Sequence, residues 1–162
     1  MKKFLKRGYS VVANSRNITK ANPFPASANL ALIDGDIGDP KTAAKIGDTA
    51  ISRFGCIDVL INNASIFIPK PFTDYTTEDF EALVSTTLAG FLYVSQLSVK
   101  QMLRQKSGSI VNVSTTLVDH PVAGVPVTVQ VMAKGSLNAA TRALAIDYAK
   151  DGIRAKEAET KR

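Results

Sequence analysis

Apolar positions in this chain fall into short continuous runs separated by longer stretches in which they recur every three or four residues, the alternation expected of strands and helices in succession. Residues 11–14 and 30–33 read as short strands, and 109–113 as another. The run Ile57, Asp58, Val59, Leu60, Ile61 is nearly continuous in the way of a strand buried on both faces of a parallel sheet. Residues 40–54 read as a helix with Pro40 in its first turn, where a missing N–H costs nothing. Thr76, followed three residues later by Asp79, predicts an N-cap for a long helix over 76–104 whose apolar stripe includes Phe80, Val84, Phe91 and Val94. A last helix is expected over 127–150, with Leu137, Leu144 and Tyr148 on one face and Gly152 to end it. Strands alternating with helices imply right-handed crossovers and a parallel sheet covered on both faces. Residues 22–27, with Pro23 and Pro25, read as a loop, and the charged residues 155–162 as a frayed helical end or disordered tail.

A chain of 162 residues, 45% hydrophobic and 21% charged, is large and apolar enough for one buried core. It has no run of about 20 consecutive apolar residues, so no membrane span is expected. The positive start Met1-Lys2-Lys3 is not followed by an uninterrupted apolar stretch, because Lys6, Arg7, Asn14 and Arg16 intervene; a signal peptide is not expected and the chain reads as cytoplasmic. The single cysteine, Cys56, agrees with a reducing compartment and reads as structural beside its strand. A net charge of +6 permits a polyanionic partner, but the basic residues are dispersed, which favours a solvated surface and no nucleic-acid partner. One histidine, His120, and one cysteine make no metal site.

Five segments carry more information together than apart: Tyr9 to Arg16, Asp36-Ile37-Gly38-Asp39, Asp58-Val59-Leu60-Ile61-Asn62-Asn63-Ala64-Ser65, Gly108-Ser109-Ile110-Val111-Asn112-Val113-Ser114, and Lys134-Gly135 through Gly152-Ile153-Arg154. In this order and spacing they resemble the short-chain dehydrogenase/reductase family. The resemblance implies an α/β fold, a Rossmann-like doubly wound parallel sheet, with a partial domain over 1–154 and a charged tail over 155–162. In that family a first strand and a glycine-rich turn hold the cofactor pyrophosphate. Neither is found in this sequence, so the sheet is expected to be incomplete, without that first strand and without the last strands. The absent strand would lie between the second strand and the one carrying Asn62. Its loss leaves the pair at 11–14 and 30–33 with no neighbour, and buried unpaired backbone groups are costly.

By the same resemblance the chain is an oxidoreductase that uses NADP(H), or else NAD(H), to move hydride to or from a small-molecule carbonyl or alcohol. The catalytic tyrosine of the family is replaced by Gln130, four residues before the retained Lys134. The substrate-orienting serine falls at Thr115, with Ser114 as the alternative, and the helix asparagine falls at Thr87. Arg16 resembles the arginine that accommodates the 2′-phosphate of NADP, Asp36 the aspartate that receives the adenine amino group, and Asn62 and Ala64 the segment beside the adenine ribose. Lys134 would also hold the nicotinamide ribose. The alternative is a catalytically inactive fragment or pseudoenzyme, either a remnant with residual nucleotide contacts or a module that associates, as a homo-oligomer, through helices 76–104 and 127–150, with loss of cofactor binding left open.

Overall fold

Every strand runs parallel to its neighbour, yet the strands form two sheets rather than one. The structure, a computed structural model, describes residues 1–21 and 24–160; Asn22 and Pro23 of the expected loop, and Lys161 and Arg162 of the expected tail, lie outside the described residues. β1 (Val11–Ser15) pairs with β2 (Leu30–Asp34). β3 (Val59–Asn62), β4 (Gly108–Thr115) and β5 (Ile153–Thr160) form the second sheet in that order. No strand joins β1 to β3 among the described residues.

The helices begin and end where their capping residues dictate. A short α1 (Lys2–Lys6) precedes β1 and encloses no residue fully. α2 (Pro40–Phe54) starts at Asp39, whose side chain accepts from the Lys41 amide, and stops at Gly55 in the left-handed conformation, with φ +78°. Thr76 and Asp79 form a reciprocal capping box for α3 (Thr77–Val84), and Asp79 also pairs with Lys70. The single long helix expected over 76–104 is interrupted: a π turn, Ser85–Ala89, separates α3 from α4 (Gly90–Gln105). Such a turn adds a residue and re-aims the side chains around it, and here it carries Thr87 inward. Phe80, assigned to the apolar stripe by the sequence, is exposed, and Leu83 supplies the enclosed contact of α3 instead. α5 (Thr128–Asp147) holds the last long helix, and Gly152 at φ +73° turns the chain into β5.

Two further expectations are corrected. Residues 155–160 are a strand, not a tail: β5 pairs with β4 from Gly108↔Ile153 to Thr115↔Thr160. Its charges fit because this is an outer strand with alternating exposure, Ile153 buried and Ala155 and Glu157 half-buried between exposed Arg154 and Lys156. The ordered domain therefore extends past 154, and a strand does follow Gly152. Second, the sheet is not fully covered on both faces: β4 alternates buried with half-buried positions, and β3 leaves Val59 and Ile61 exposed. The helical stretch Thr77–Gln105, 29 residues, is long and apolar enough to cross a membrane by length and composition alone. Its apolarity is accounted for by the burial of Leu83, Val94, Val99 and Met102 within the fold.

The core sits under the three-stranded sheet, where Val99 and Met102 of α4 meet Ile110 of β4 and Ile153 of β5, with Leu60 and Tyr148 packed around them. Gly108 is required there, since a Cβ at that position would stand 2.3 Å from the Met102 sulfur. The β1–β2 pair buries Leu30, Ala31 and Ile33 and is tied to the rest through helices: Gly47 of α2 approaches Leu97 of α4, and Gly90 lies so close to Ile37 that a Cβ would be 2.8 Å from its Cγ2. Cys56 is exposed rather than enclosed, its thiol 3.4 Å from the Asp58 carboxylate. Desolvation, and then the carboxylate, raise its pKa.

Candidate functional site

The gap between the two sheets is a cavity of about 1000 Å³ lined by the whole of β1 and β3 and by the loops at their carboxyl ends. In open parallel sheets that end is where ligands bind. Asn14 ties the end of β1 to β2 by donating to the Ile33 and Gly35 carbonyls at 2.9 and 3.1 Å. Arg16 follows directly and is exposed. The Asp36 carboxylate accepts from the Gly38 amide at 2.9 Å, which shapes the turn leading into α2. Arg16, Asp36, Asn62, Ala64 and Thr87 all line this one cavity.

Asn62 does so as part of a buried network. Its Nδ2 donates to Ser95 Oγ at 3.1 Å and to Asn112 Oδ1 at 2.8 Å. Asn112, fully enclosed, donates onward to Thr141 Oγ1 at 2.7 Å, and Thr141 donates to the Leu137 carbonyl at 2.7 Å. A buried amide must find such partners, so this chain fixes β3, β4, α4 and α5 relative to one another. Ser95, Asn112 and Thr141 were not singled out from sequence. A signal was present for Asn112: it occupies an inward position of β4 between Ile110 and Ser114, where an apolar residue would be expected.

Of the residues assigned to proton transfer, Thr87 lines that cavity and the others lie apart from it. Gln130 and Lys134 stand one turn apart on the same face of α5, only 4% and 5% exposed. Gln130 Nε2 reaches Ser65 Oγ at a long 3.4 Å, while its Oε1 has no hydrogen-bond partner among the described residues. Lys134 Nζ donates to the Val113 carbonyl at 2.7 Å, and burial lowers its pKa from the ordinary 10.5. Ser114 is buried on β4, and Thr115 Oγ1 accepts from the Leu117 amide at 3.3 Å, ending the strand in a tight turn. Thr87, on the π turn and 3% exposed, points a hydroxyl that has no partner among the described residues. None of Gln130, Lys134, Ser114 and Thr115 lines the cavity; Ser65, which does, joins the two groups through Gln130. Among these four side chains only Lys134 titrates, and His120 is exposed.

The family model for short chain dehydrogenases matches residues 1–160, and the chain belongs to that family. A protein of Thermotoga maritima described as an uncharacterized oxidoreductase is 32% identical over 157 residues, 93% of this chain and 61% of that protein. A tropinone reductase homolog of Arabidopsis thaliana is 38% identical over 122 residues, 74% of this chain and 45% of that protein. The chain thus spans less than two thirds of the length of either relative. The solved structure of ElxO with NADP bound superposes with a TM-score of 0.88 at 25% identity, covering 98% of this chain and 65% of that one. The fold is therefore the Rossmann-like α/β arrangement of the family's structures.

Proposed function

We propose that the chain binds a nicotinamide dinucleotide, NADP(H) in preference to NAD(H), and works in hydride transfer between it and a carbonyl or alcohol carbon of a small molecule. The observation that carries this reading is the convergence of Arg16, Asp36, Asn62 and Ala64 on one cavity at the carboxyl ends of parallel strands. These residues fit the adenosine end of the cofactor: the Arg16 guanidinium suits a 2′-phosphate, the Asp36 carboxylate an adenine amino group, and the Asn62–Ala64 backbone a ribose. The pyrophosphate end is less well provided, since no glycine-rich strand-to-helix turn lines the cavity among the described residues. When bound, the nicotinamide supplies or accepts the hydride.

The proton step is where this chain departs from an efficient enzyme. An amide can donate a hydrogen bond but has no proton to give up at usable pH, and positioned acid–base catalysis is typically worth about 10² to 10⁴ in rate. Lys134, engaged with the Val113 carbonyl, would have to release that bond to reach a ribose oxygen. The burial of Gln130 against Ser65 favours a second reading, a relative without turnover that acts by association. Leu92, Leu103, Met132 and Ile146 are exposed on α4 and α5 and would be covered by a second copy.

The test pairs binding with repair. NADPH at millimolar concentration should raise the melting temperature of the wild-type chain, because a ligand that binds only the folded state stabilises it; Arg16→Ala should lose more of that shift for NADPH than for NADH. Gln130→Tyr should raise NADPH oxidation, measured across a panel of ketones and aldehydes, by about 10² or more. Absence of a thermal shift with either nucleotide would overturn the cofactor assignment. A shift with no activity in either form would leave the association reading in its place.

A further inference from the structure

We propose that the contact between Ser65 and Gln130 is an autoinhibitory bridge: while it is closed, the chain holds NADP(H) by its 2′-phosphoadenosine half alone and leaves the nicotinamide half in water. Given that the cavity takes that cofactor, the reading on which this inference rests, the two halves of the ligand meet unequal walls. The adenosine end meets accessible groups. Arg16 is exposed and has no carboxylate partner among the described residues, Asp36 spends one carboxylate oxygen on the Gly38 amide, and both line the cavity with Asn62 and Ala64. The groups at the nicotinamide end are spent inside the protein. Lys134 Nζ donates to the Val113 carbonyl at 2.7 Å, Thr115 Oγ1 accepts from the Leu117 amide at 3.3 Å, and Gln130 Nε2 donates to Ser65 Oγ at 3.4 Å. None of Lys134, Thr115 and Gln130 lines the cavity.

The hydrogen-bond directions fix how the bridge is built. The Ser65 hydroxyl gives its one proton to the Ile66 carbonyl at 3.3 Å, so toward Gln130 it accepts. The NH2 end of the Gln130 amide therefore points to Ser65, and Oε1 is left enclosed with no partner among the described residues. The loop that carries Ser65 is fastened further on as well. The Lys70 amide donates to the Pro126 carbonyl at 2.9 Å, two residues before α5 begins, and the Tyr75 hydroxyl donates to the Ile68 carbonyl at 2.5 Å. The Lys70 amine pairs with Asp79 of the α3 capping box. Residues 65–70 thus form a strap across the start of α5, where Gln130 and, one turn on, Lys134 are only 4% and 5% exposed. The contact at Gln130 is the weakest of these fastenings, since 3.4 Å is long for a hydrogen bond and Ser65 is exposed to competing water. Opening there also lets a donor reach Oε1, which offsets the loss, because an enclosed acceptor without a partner is costly. The bridge is therefore the part of the strap that yields, while Lys70 and Tyr75 keep the rest of the loop in place.

Two ligands and two readouts test this on the full chain: calorimetric titration with NADPH and with adenosine 2′,5′-bisphosphate, and the emission of the dihydronicotinamide ring, which rises when the ring leaves water. The wild-type chain should bind the two ligands within about twofold of each other, since a half that is not held adds nothing to affinity, and NADPH emission should not rise. Ser65→Gly removes the acceptor and Gln130→Ala the donor, and a melting curve of each variant establishes that it folds. In either variant NADPH should bind roughly threefold to tenfold more tightly, the range that one neutral hydrogen bond spans, and its emission should increase. The affinity for the bisphosphate should stay as in wild type. Two results would overturn the bridge while leaving the cofactor reading intact: a wild-type chain that already raises NADPH emission or prefers NADPH about tenfold, or folded variants in which the ratio of the two affinities is unchanged. A wild-type chain that binds neither ligand would remove the cofactor reading itself, and the bridge with it.

Discussion

The two sheets of this molecule are held by different means. The three-stranded sheet owns a closed core: Met102 and Ile110 are fully enclosed, Val99 and Ile153 nearly so, and a chain of side-chain hydrogen bonds from Ser95 through Asn62 and Asn112 to Thr141 runs beneath it. The β1–β2 pair has two strands, a partly open inner edge and, among the described residues, no such network. It stays in place because α2 packs on it and then on α4, and because Gly90 of α4 lets Ile37, between β2 and α2, approach closely. A two-stranded unit is marginal on its own and needs packing against a helix. The difference teaches that continuity of the sheet and integrity of the fold are separable here: one rests on backbone pairing, the other on helices that bridge the gap.

The largest effect should come from breaking the better-held region. Met102→Ala removes an enclosed side chain from the centre of the α4–β4–β5 core and should cost about 2–5 kcal/mol, measured as a lower urea midpoint. Because every other element leans on that core, the loss should appear in all parts of the molecule together. If β1–β2 alone loosened, the comparison would be the wrong way round.

Most of this architecture was legible in the sequence. The strands at 11–14, 30–33 and 109–113, the helix over 40–54 and the Thr76 cap rest on local rules, and the structure puts each within a residue or two of its expected place. What was not legible depended on partners. The π turn at Ser85–Ala89 breaks a helix whose periodicity looks continuous, and β5 is charged enough to pass for a tail until β4 is seen to pair with it. Of the candidate site, Arg16, Asp36, Asn62, Ala64 and Thr87 do meet at one cavity. The burial of Lys134 against the Val113 carbonyl, and the partners of Asn112, could not be foreseen, since hydrogen-bond partners some 20 to 50 residues away in sequence leave no local trace; Asn112 itself showed only as a polar residue at an inward strand position.

A smaller and more local effect should follow from the joint between the regions. Gly90→Val places branched carbons where a bare Cβ would already stand 2.8 Å from Ile37 Cγ2 and 3.3 Å from the Ile37 carbonyl oxygen. Overpacking of this kind typically costs about 1–3 kcal/mol. Ile37 leads from β2 into α2, so the strain should push the β1–β2 pair away from α4. Amide exchange in Val12 to Asn14 and in Leu30 to Ile33 should accelerate, while Ile110 and Asn112 in β4 keep their protection. Uniform acceleration across both sheets would mean that they open as one unit, which is the outcome that would sink the comparison.

The smallest effect sharpens the comparison from inside the better-held region, through Lys134, the one buried lysine or arginine among the described residues. Lys134 donates to a single carbonyl, and burial sets its folded pKa below the unfolded value of 10.5. Below the folded pKa both states carry the proton and the cost of burying the charge is present in full. As pH rises through the folded pKa toward 10.5, the folded state releases its proton first, the unfolded state binds more, and stability rises with pH over that window. Lys134→Met keeps the length and apolar body of the side chain and removes the charge. The variant should therefore lack this contribution, so that the difference in melting temperature between variant and wild type narrows as pH increases from neutrality toward 10.5. Since removing a buried charge and filling its space with an apolar side chain is often neutral or stabilising, the variant should be no less stable than wild type at neutral pH. A difference independent of pH would show that the amine does not titrate within the fold's stability range, and that the Val113 bond compensates its burial completely.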